Sequence, residues 1–507
     1  MRRLKNILTF LSAFVFALSV NEGVLAQPLE PQWSQRYNGE RWEEYPKILQ
    51  RADGGYALCY TTTSYSVGDM QIRLVLTDSL GNIENSHSFG GPENEELRDI
   101  VQTSDGGLLL SGATGSYGAC GPDNWAGWLF KTDSNGDSLW SKVFSACNWV
   151  FCQSVVQTPD GIFCLVKDFG MGDSHHYLCH LGFDGDSLNS LTIQNYYEAD
   201  TLYNLFPVSI HSLNDGEIAI YGTTLMEWSE GESFRDEEAI WVRKLSSQLD
   251  ILWTQVYHHP TNINMVGSIH VTANSDLFLI ASQGILFTYD ADAVLIRLDS
   301  SGNRIWTRTY GDEWLDEPRC SMVLPDGAIL IAGRIGHGEW TTKNWLMKVS
   351  VDGDSLWSYE FGDADRYDHA HIAPTSDGGC IFASTRQEYS GEEWDWLWDI
   401  EVFKFGPEGL GAGEQPSSFV IKDIDLRAYP NPFNPSTTIS FDLPTTGPVS
   451  LVAYDLMGRV VQTLLDQSLT AGKHTLTFDA ASLPSGSYFI QLQNANRQRT
   501  QKIVLLR

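Results

Sequence analysis

Basic residues are scarce in this chain. Its 507 residues include 33 Lys and Arg against 64 Asp and Glu, a formal net charge of −31. The deficit is concentrated in residues 27–419, which hold 22 basic and 57 acidic side chains. Such a surface repels phosphate backbones and anionic headgroups, which argues against nucleic-acid or headgroup binding. Its plainest role is solubility. CxxC pairs are also missing. The eight cysteines, Cys59, Cys120, Cys147, Cys152, Cys164, Cys179, Cys320 and Cys380, never take the spacing of a zinc or redox motif. No Walker loop, Rossmann fingerprint, GxSxG or HExxH stands in a supporting context. Beyond the first 26 residues no apolar run is long enough to span a bilayer, so no membrane span is expected after processing.

The N-terminus reads as an address. Arg2, Arg3 and Lys5 precede an apolar stretch from Ile7 to Val20, and Val24-Leu25-Ala26 ends in a small residue before Gln27. That is the pattern of a signal peptide over residues 1–26; the stretch is short for a membrane anchor. Export makes disulfides possible. Five of the cysteines lie in apolar strand-like contexts, where buried thiols are common.

The middle of the chain repeats itself. An Asp-Gly turn recurs at Asp53, Asp105, Asp160, Asp215, Asp326 and Asp377, with a degenerate copy at Asp276. A second marker follows each turn: a basic residue, a polar turn and a Trp strand. It reads KTDSNGDSLW to Trp140, RLDSSGNRIW to Trp306 and KVSVDGDSLW to Trp357, with a looser copy ending at Trp253. Each unit of about 50 residues offers four short strands, the pattern of a propeller blade. Seven units predict an all-β fold: a seven-bladed β-propeller over 27–412. The segment around Trp33 is an outer strand without its blade, and the last unit, from Asp377 to Gly409, lacks one. Trp33–Tyr37 is therefore expected to complete the last blade and leave no open edge.

These units resemble the propeller repeats of many exported bacterial proteins. The turn before the Trp also resembles the quinoprotein repeat, in which one more residue separates Asp from Gly. The sialidase Asp box differs too, because there Trp follows Gly by three residues, whereas Trp140 follows Gly136 by four. The repeat tryptophans are expected to dock one blade on the next.

Residues 413–427 are rich in Gly, Pro and Ser and read as a linker. Residues 428–507 alternate short strands with Gly, Pro and Asn turns and suggest a small Ig-like β-sandwich. The order of Tyr429-Pro430-Asn431-Pro432, then Tyr454-Asp455 with Gly458-Arg459, then Gly486-Ser487-Tyr488, resembles the type IX (Por) secretion C-terminal sorting domain. Tyr429, Pro430, Asn431, Pro432, Gly458, Gly486 and Tyr488 carry the motif. The resemblance implies passage through the periplasm and handling by the type IX machinery and its sorting peptidase. It implies delivery to the cell surface or the medium, with the tail usually removed.

Chemistry is expected on the face that carries the longer, more varied loops. Those loops are rich in acids and tryptophan. The candidate ligand-binding residues are Trp125, Trp149, Trp228, Trp314, Trp340, Trp394 and Trp396. Exposed aromatics stack on sugar rings while carboxylates bond hydroxyls, and Trp also anchors protein interfaces. Cys120 and Cys147 fall in neighbouring loops of this face and form a candidate disulfide. Three histidine pairs, His175-His176, His258-His259 and His369 with His371, could contribute to a metal site only if they converge. Ca²⁺ is conceivable at Asp133–Ser138, although a hairpin turn explains those residues without it. No metal, cofactor or catalytic residue is assigned. The reading is an exported binding protein for an extracellular glycan or protein, non-enzymatic on balance. The alternatives are a polysaccharide lyase or hydrolase using paired carboxylates, and a structural surface component.

Overall fold

The computed structural model describes residues 30–506, apart from 40, 65–69, 119–123, 145–148, 170–173, 195, 199–200, 214–215, 231–232, 258–262, 273, 285–290, 312–314, 337–340, 365, 390–395, 408–409, 411–419, 422–424, 444–446, 471 and 495–496. The proposed signal peptide therefore lies outside the described residues. Among the described residues seven antiparallel sheets, here I to VII, run from Trp33 to Ile421, and two more form the tail. The all-β expectation holds, and the architecture is a propeller. The long first strands of the sheets are Glu43–Gln50, Glu95–Gln102, Trp149–Thr158, Thr201–Ser212, Ile263–Val271, Asp316–Val323 and Arg366–Pro374. Each touches the next in this order, and the seventh touches the first. These strands line a central axis.

The ring is closed by the N-terminal segment. Sheet VII runs in the order Trp33–Tyr37, Trp396–Phe405, Cys380–Tyr389, Arg366–Pro374. Trp33 pairs with Lys404 and Tyr37 with Ile400. The main-chain groups of the last sheet are thus satisfied by the far end of the chain.

The repeat markers have physical causes. In the first turn of sheets II, VI and VII, the Asp carboxylate caps the chain reversal and meets the basic residue of the second marker. Asp326 accepts from the Ala328 N–H at 3.0 Å and from Lys348 Nζ at 2.7 Å, and Asp377 accepts from the Gly379 N–H at 3.0 Å and from Lys404 Nζ at 2.9 Å. Asp105 holds Lys131 in the same way. The second turn packs against the previous sheet. Gly81, Gly185, Gly302 and Gly353 have φ of 82°, 85°, 82° and 86°. A Cβ on them would come within 2.9, 3.1, 3.0 and 3.2 Å of the Trp33, Trp140, Trp253 and Trp306 rings. Glycine is required there twice over, for its left-handed backbone and for the close approach. The hydroxyls of Tyr37, Tyr257 and Tyr310 donate to the carbonyls of Gly81, Gly302 and Gly353 at 2.7, 2.7 and 2.8 Å. Between sheets VI and VII, Phe361 meets Phe382, Phe403 and Phe405 edge-on within an apolar core.

Every first strand carries a register shift at the same level. A bulge re-aims the side chain that follows it. The residues just after the shift are Lys47, Asp99, Ser154, Ser209, Ile269, Cys320 and His371. Several tie neighbouring sheets together. Asp99 accepts from Ser154 Oγ at 2.8 Å and from the Val155 N–H at 3.2 Å; Ser154 Oγ lies 2.9 Å from Ser209 Oγ. His371 Nδ1 accepts from the Ile48 N–H at 3.2 Å.

The tail is a sandwich of a three-stranded and a four-stranded sheet. Inward residues such as Ile439, Phe441, Leu451, Phe478, Ile490 and Ile503 form its core. Its first strand begins at Asp425. Val420–Ile421, inside the stretch read as linker, adds a fifth strand to sheet V by pairing with Gly311 and Tyr310. A short apolar run can pair even in a linker when an outer strand offers free main-chain groups.

Candidate functional site at the axial mouth

The first strands enter the ring from the variable-loop face, and their opening residues surround the mouth of the axis. One position can be followed through all seven sheets by its partner on the second strand. Going round from sheet VI it is Glu317, Asp368, Glu44, Glu96, Phe151, Phe206 and Met265, opposite Arg334, Thr385, Thr61, Ala113, Lys167, Thr223 and Ser282. Four consecutive carboxylates are followed by three consecutive apolar residues. The mouth is divided into an acidic half and an apolar half.

The acidic half is a charge network. Asp368 accepts from Arg319 and from Arg334, each at 3.0 Å. Glu317 meets the same two guanidiniums at 3.0 and 2.7 Å. Burial opposes ionisation of Asp368, but Arg334, with His369 and Arg319, outweighs it and holds the carboxyl at about 2. Glu44 lacks such support. Burial, then the nearby charges of Asp368 and Glu96, push it up to about 6. Glu96 is raised by burial, against the pull of Arg98, whose guanidinium lies 2.9 Å away. Tyr45 and His369 pack ring on ring at 4.1 Å, and burial draws His369 down to about 4.

The apolar half is an arc of rings. Arg98 lies over the Phe151 ring, 5.0 Å from its centre. Trp125 stacks on Phe151 at 6.0 Å, Phe169 meets it edge-on at 5.9 Å, and Phe169, His176 and Phe206 continue the arc. Trp149 pairs with Phe169 across sheet III and is 56% exposed. Two of the seven candidate tryptophans, Trp125 and Trp149, are thus brought together. Trp228 and Trp396 lie on strands, at Ile218–Glu230 and Trp396–Phe405, and their side chains are outside the described residues. So are Trp314, Trp340 and Trp394, the Cys120–Cys147 pair, and His258-His259.

Several residues were missed. Trp42 is 54% exposed and stacks on Trp398 at 5.8 Å where sheets VII and I meet. Cys152 and Cys164 form a disulfide between adjacent strands of sheet III, with Cα atoms 6.6 Å apart. Cys59, Cys179, Cys320 and Cys380 are free thiols. The mouth carboxylates were legible only by aligning the repeats position by position. His369 and His371 do not converge, since one packs on Tyr45 and the other accepts from Ile48. Among the described residues no group of three or more His, Cys, Asp or Glu is arranged to hold a metal ion. The Asp133 carboxylate is engaged by the N–H groups of Asn135 and Asp137, at 2.8 and 2.9 Å, as a hairpin turn requires.

The tail motif residues act within the sandwich. Asn431 donates to the Lys502 carbonyl at 3.1 Å and accepts from the Val504 N–H at 2.8 Å, so it clamps the last strand. Tyr488 donates to the Pro484 carbonyl at 2.7 Å. Gly458 turns with φ of 74° in a hairpin capped by Asp455, and Tyr429 is 82% exposed. Residues 427–506 match the family model of a secretion system C-terminal sorting domain. The tail is a sorting domain. It marks the chain for export by the type IX system, to the cell surface or the medium. No curated protein sequence matches the chain. Among solved structures, a fungal alcohol oxidase of the AA5 family in complex with copper is similar over 94% of this chain and 100% of its own, with 11% identity and a TM-score of 0.48. PorZ, a surface component of the type-IX secretion system of Porphyromonas gingivalis, is similar over 92% of this chain and 74% of its own, with 12% identity and a TM-score of 0.32. A subtype N11 neuraminidase-like protein of A/flat-faced bat/Peru/033/2010 is similar over 75% and 96%, with 9% identity and a TM-score of 0.35. At such identities and TM-scores none of the three bears on what this chain does.

Proposed function

We propose that this exported protein binds an extracellular glycan at the axial mouth of its propeller. The observation that carries the reading is the divided mouth, with Glu317, Asp368, Glu44 and Glu96 on one side and Phe151 and Phe206 on the other. A sugar has the same two-sided character: an apolar ring face that stacks on aromatics, and hydroxyls that bond carboxylates and guanidiniums. Trp125 and Trp149 extend the aromatic side outward. The test is a glycan array with the full-length protein, followed by calorimetry of any hit with Trp149→Ala. Tenfold weaker binding by the variant is expected. Equal binding would move the ligand elsewhere.

One observation favours a second reading. Glu44, raised to about 6, lies near Glu96. A carboxyl raised toward neutral pH beside another carboxyl is the equipment of polysaccharide cleavage. A reducing-sugar assay on each bound saccharide decides between them. Turnover that disappears in Glu44→Gln would replace binding by catalysis.

A further inference from the structure

Most cations at the mouth are spoken for. Arg319 and Arg334 share Glu317 and Asp368. Arg98 gives one guanidinium nitrogen to Glu96, while its Nε is buried without a partner. Lys167 differs from all of them. It sits on the second strand of sheet III, directly opposite Phe151 on one side and His176 on the other. Among the described residues no carboxylate pairs with it, in a region that carries 57 acidic side chains. Burial, then the charge of Arg98, draws its ammonium down to about 8. The buried Nδ1 of His176 also has no hydrogen-bond partner. Partly buried ammonium groups are normally paired, because taking a bare charge out of water is unfavourable. An unpaired one, walled by rings and set beside a second cation, is a place prepared for an anion.

We propose that Lys167 and Arg98 form an anion subsite that receives the carboxylate or sulfate of an acidic saccharide. This deepens the glycan reading and rests on it. Phe151 is buried beneath Trp125, stacked on it at 6.0 Å, and Arg98, 5.0 Å from its ring centre, so the platform offered to a sugar ring beside the charge is Trp125, with the exposed Trp149 next to it in sheet III. The acidic half of the mouth would repel the same anion, so the ligand is held in one orientation: charged group toward sheets II and III, hydroxyls toward sheets VI, VII and I.

The test uses the full-length protein and three probes: a neutral oligosaccharide, uronate- and sulfate-bearing oligosaccharides of matched length, and inorganic sulfate. Lys167→Met keeps the apolar stem and removes the charge. Thermal melting checks its fold, and a Tm equal to or above that of the parent is expected, because an unpaired charge is lost. The proposal predicts acidic oligosaccharides bound at least tenfold more tightly than neutral ones. It predicts that this preference disappears in Lys167→Met while neutral binding stays. Neutral and acidic saccharides bound alike, with the variant unchanged, would overturn the anion subsite and leave the glycan reading standing. Inorganic sulfate bound as tightly as the saccharide would overturn the saccharide assignment. No saccharide bound at all, or an acidic peptide bound instead, would overturn both.

Discussion

The Nδ1 of His371 accepts a hydrogen bond from the backbone N–H of Ile48, 323 residues away in sequence, at 3.2 Å. This contact joins the seventh sheet to the first beside the axis. The same chain ends meet again at the outer edge, where Trp33–Tyr37 completes sheet VII. His371→Leu leaves the Ile48 N–H without its partner in the interior. A loss of about 1–3 kcal/mol is expected from chemical denaturation. No loss would mean that the seam is held without this bond.

Two glycines of sheet I separate backbone strain from packing. Gly54 has φ of 90° and open space around it, whereas Gly81 has φ of 82° and faces the Trp33 ring. Gly54→Ala should lose about 1–2 kcal/mol from the left-handed backbone alone. Gly81→Ala should lose more, since its methyl must also displace Trp33. Equal losses, read from thermal melts, would contradict the docking of the tryptophan on the turn.

Stability should fall on mild acidification for one set of groups and rise for another. Burial holds His176, His211 and His369 at about 4 and His270 at about 3. Their folded values lie below the ordinary value of a histidine, so their contribution is present above that value and lost as pH falls toward 4. Glu43 behaves in the opposite way. Fully buried, it is pushed up to about 7 mainly by desolvation. Its contribution is present at low pH and lost as pH rises from about 4.5 to 7. Glu43→Gln can still accept from Thr62 and Ser64 and should stabilise the protein at pH 8, by an amount on the order of 3 kcal/mol. Denaturation midpoints of parent and variant should converge near pH 4. A constant difference from pH 4 to pH 8 would contradict the assignment.

Removal of residues 428–507 should leave the protein in the periplasm, detected by fractionation and surface proteolysis of the native host. Asn431→Ala should have a milder form of the same defect, because it releases the clamp on the last strand. Unchanged surface delivery of the truncated chain would defeat the sorting role.

Much of the architecture was legible from the residues. The Asp-Gly turns, the basic residue facing them and the Trp-Gly contacts recur because each sheet solves the same packing problem, so sequence periodicity reports it directly. The unpaired outer strand at Trp33 foretold the closure because an open sheet edge is unfavourable. The candidate site was legible only in part. Composition pointed to tryptophan-rich loops, of which Trp125 stacks on Phe151 and Trp149 pairs with Phe169. Glu44, Glu96, Glu317, Asp368 and Lys167 were hidden because they sit inside strands and vary in type from repeat to repeat. Their meaning depends on which sheets stand side by side round the ring, and local sequence does not carry that. The Cys152–Cys164 bridge was hidden for a similar reason: its partners meet through strand pairing, not through sequence spacing.

The most direct test of the central claim is hydrogen exchange of the full-length protein with and without a saturating oligosaccharide taken from the array. Protection is predicted at residues 44–47, 96–99, 149–153, 206–209, 317–319 and 366–369, all of them around the axial mouth. Protection confined to the outer strands or to the sorting domain, with these segments unchanged, would contradict it.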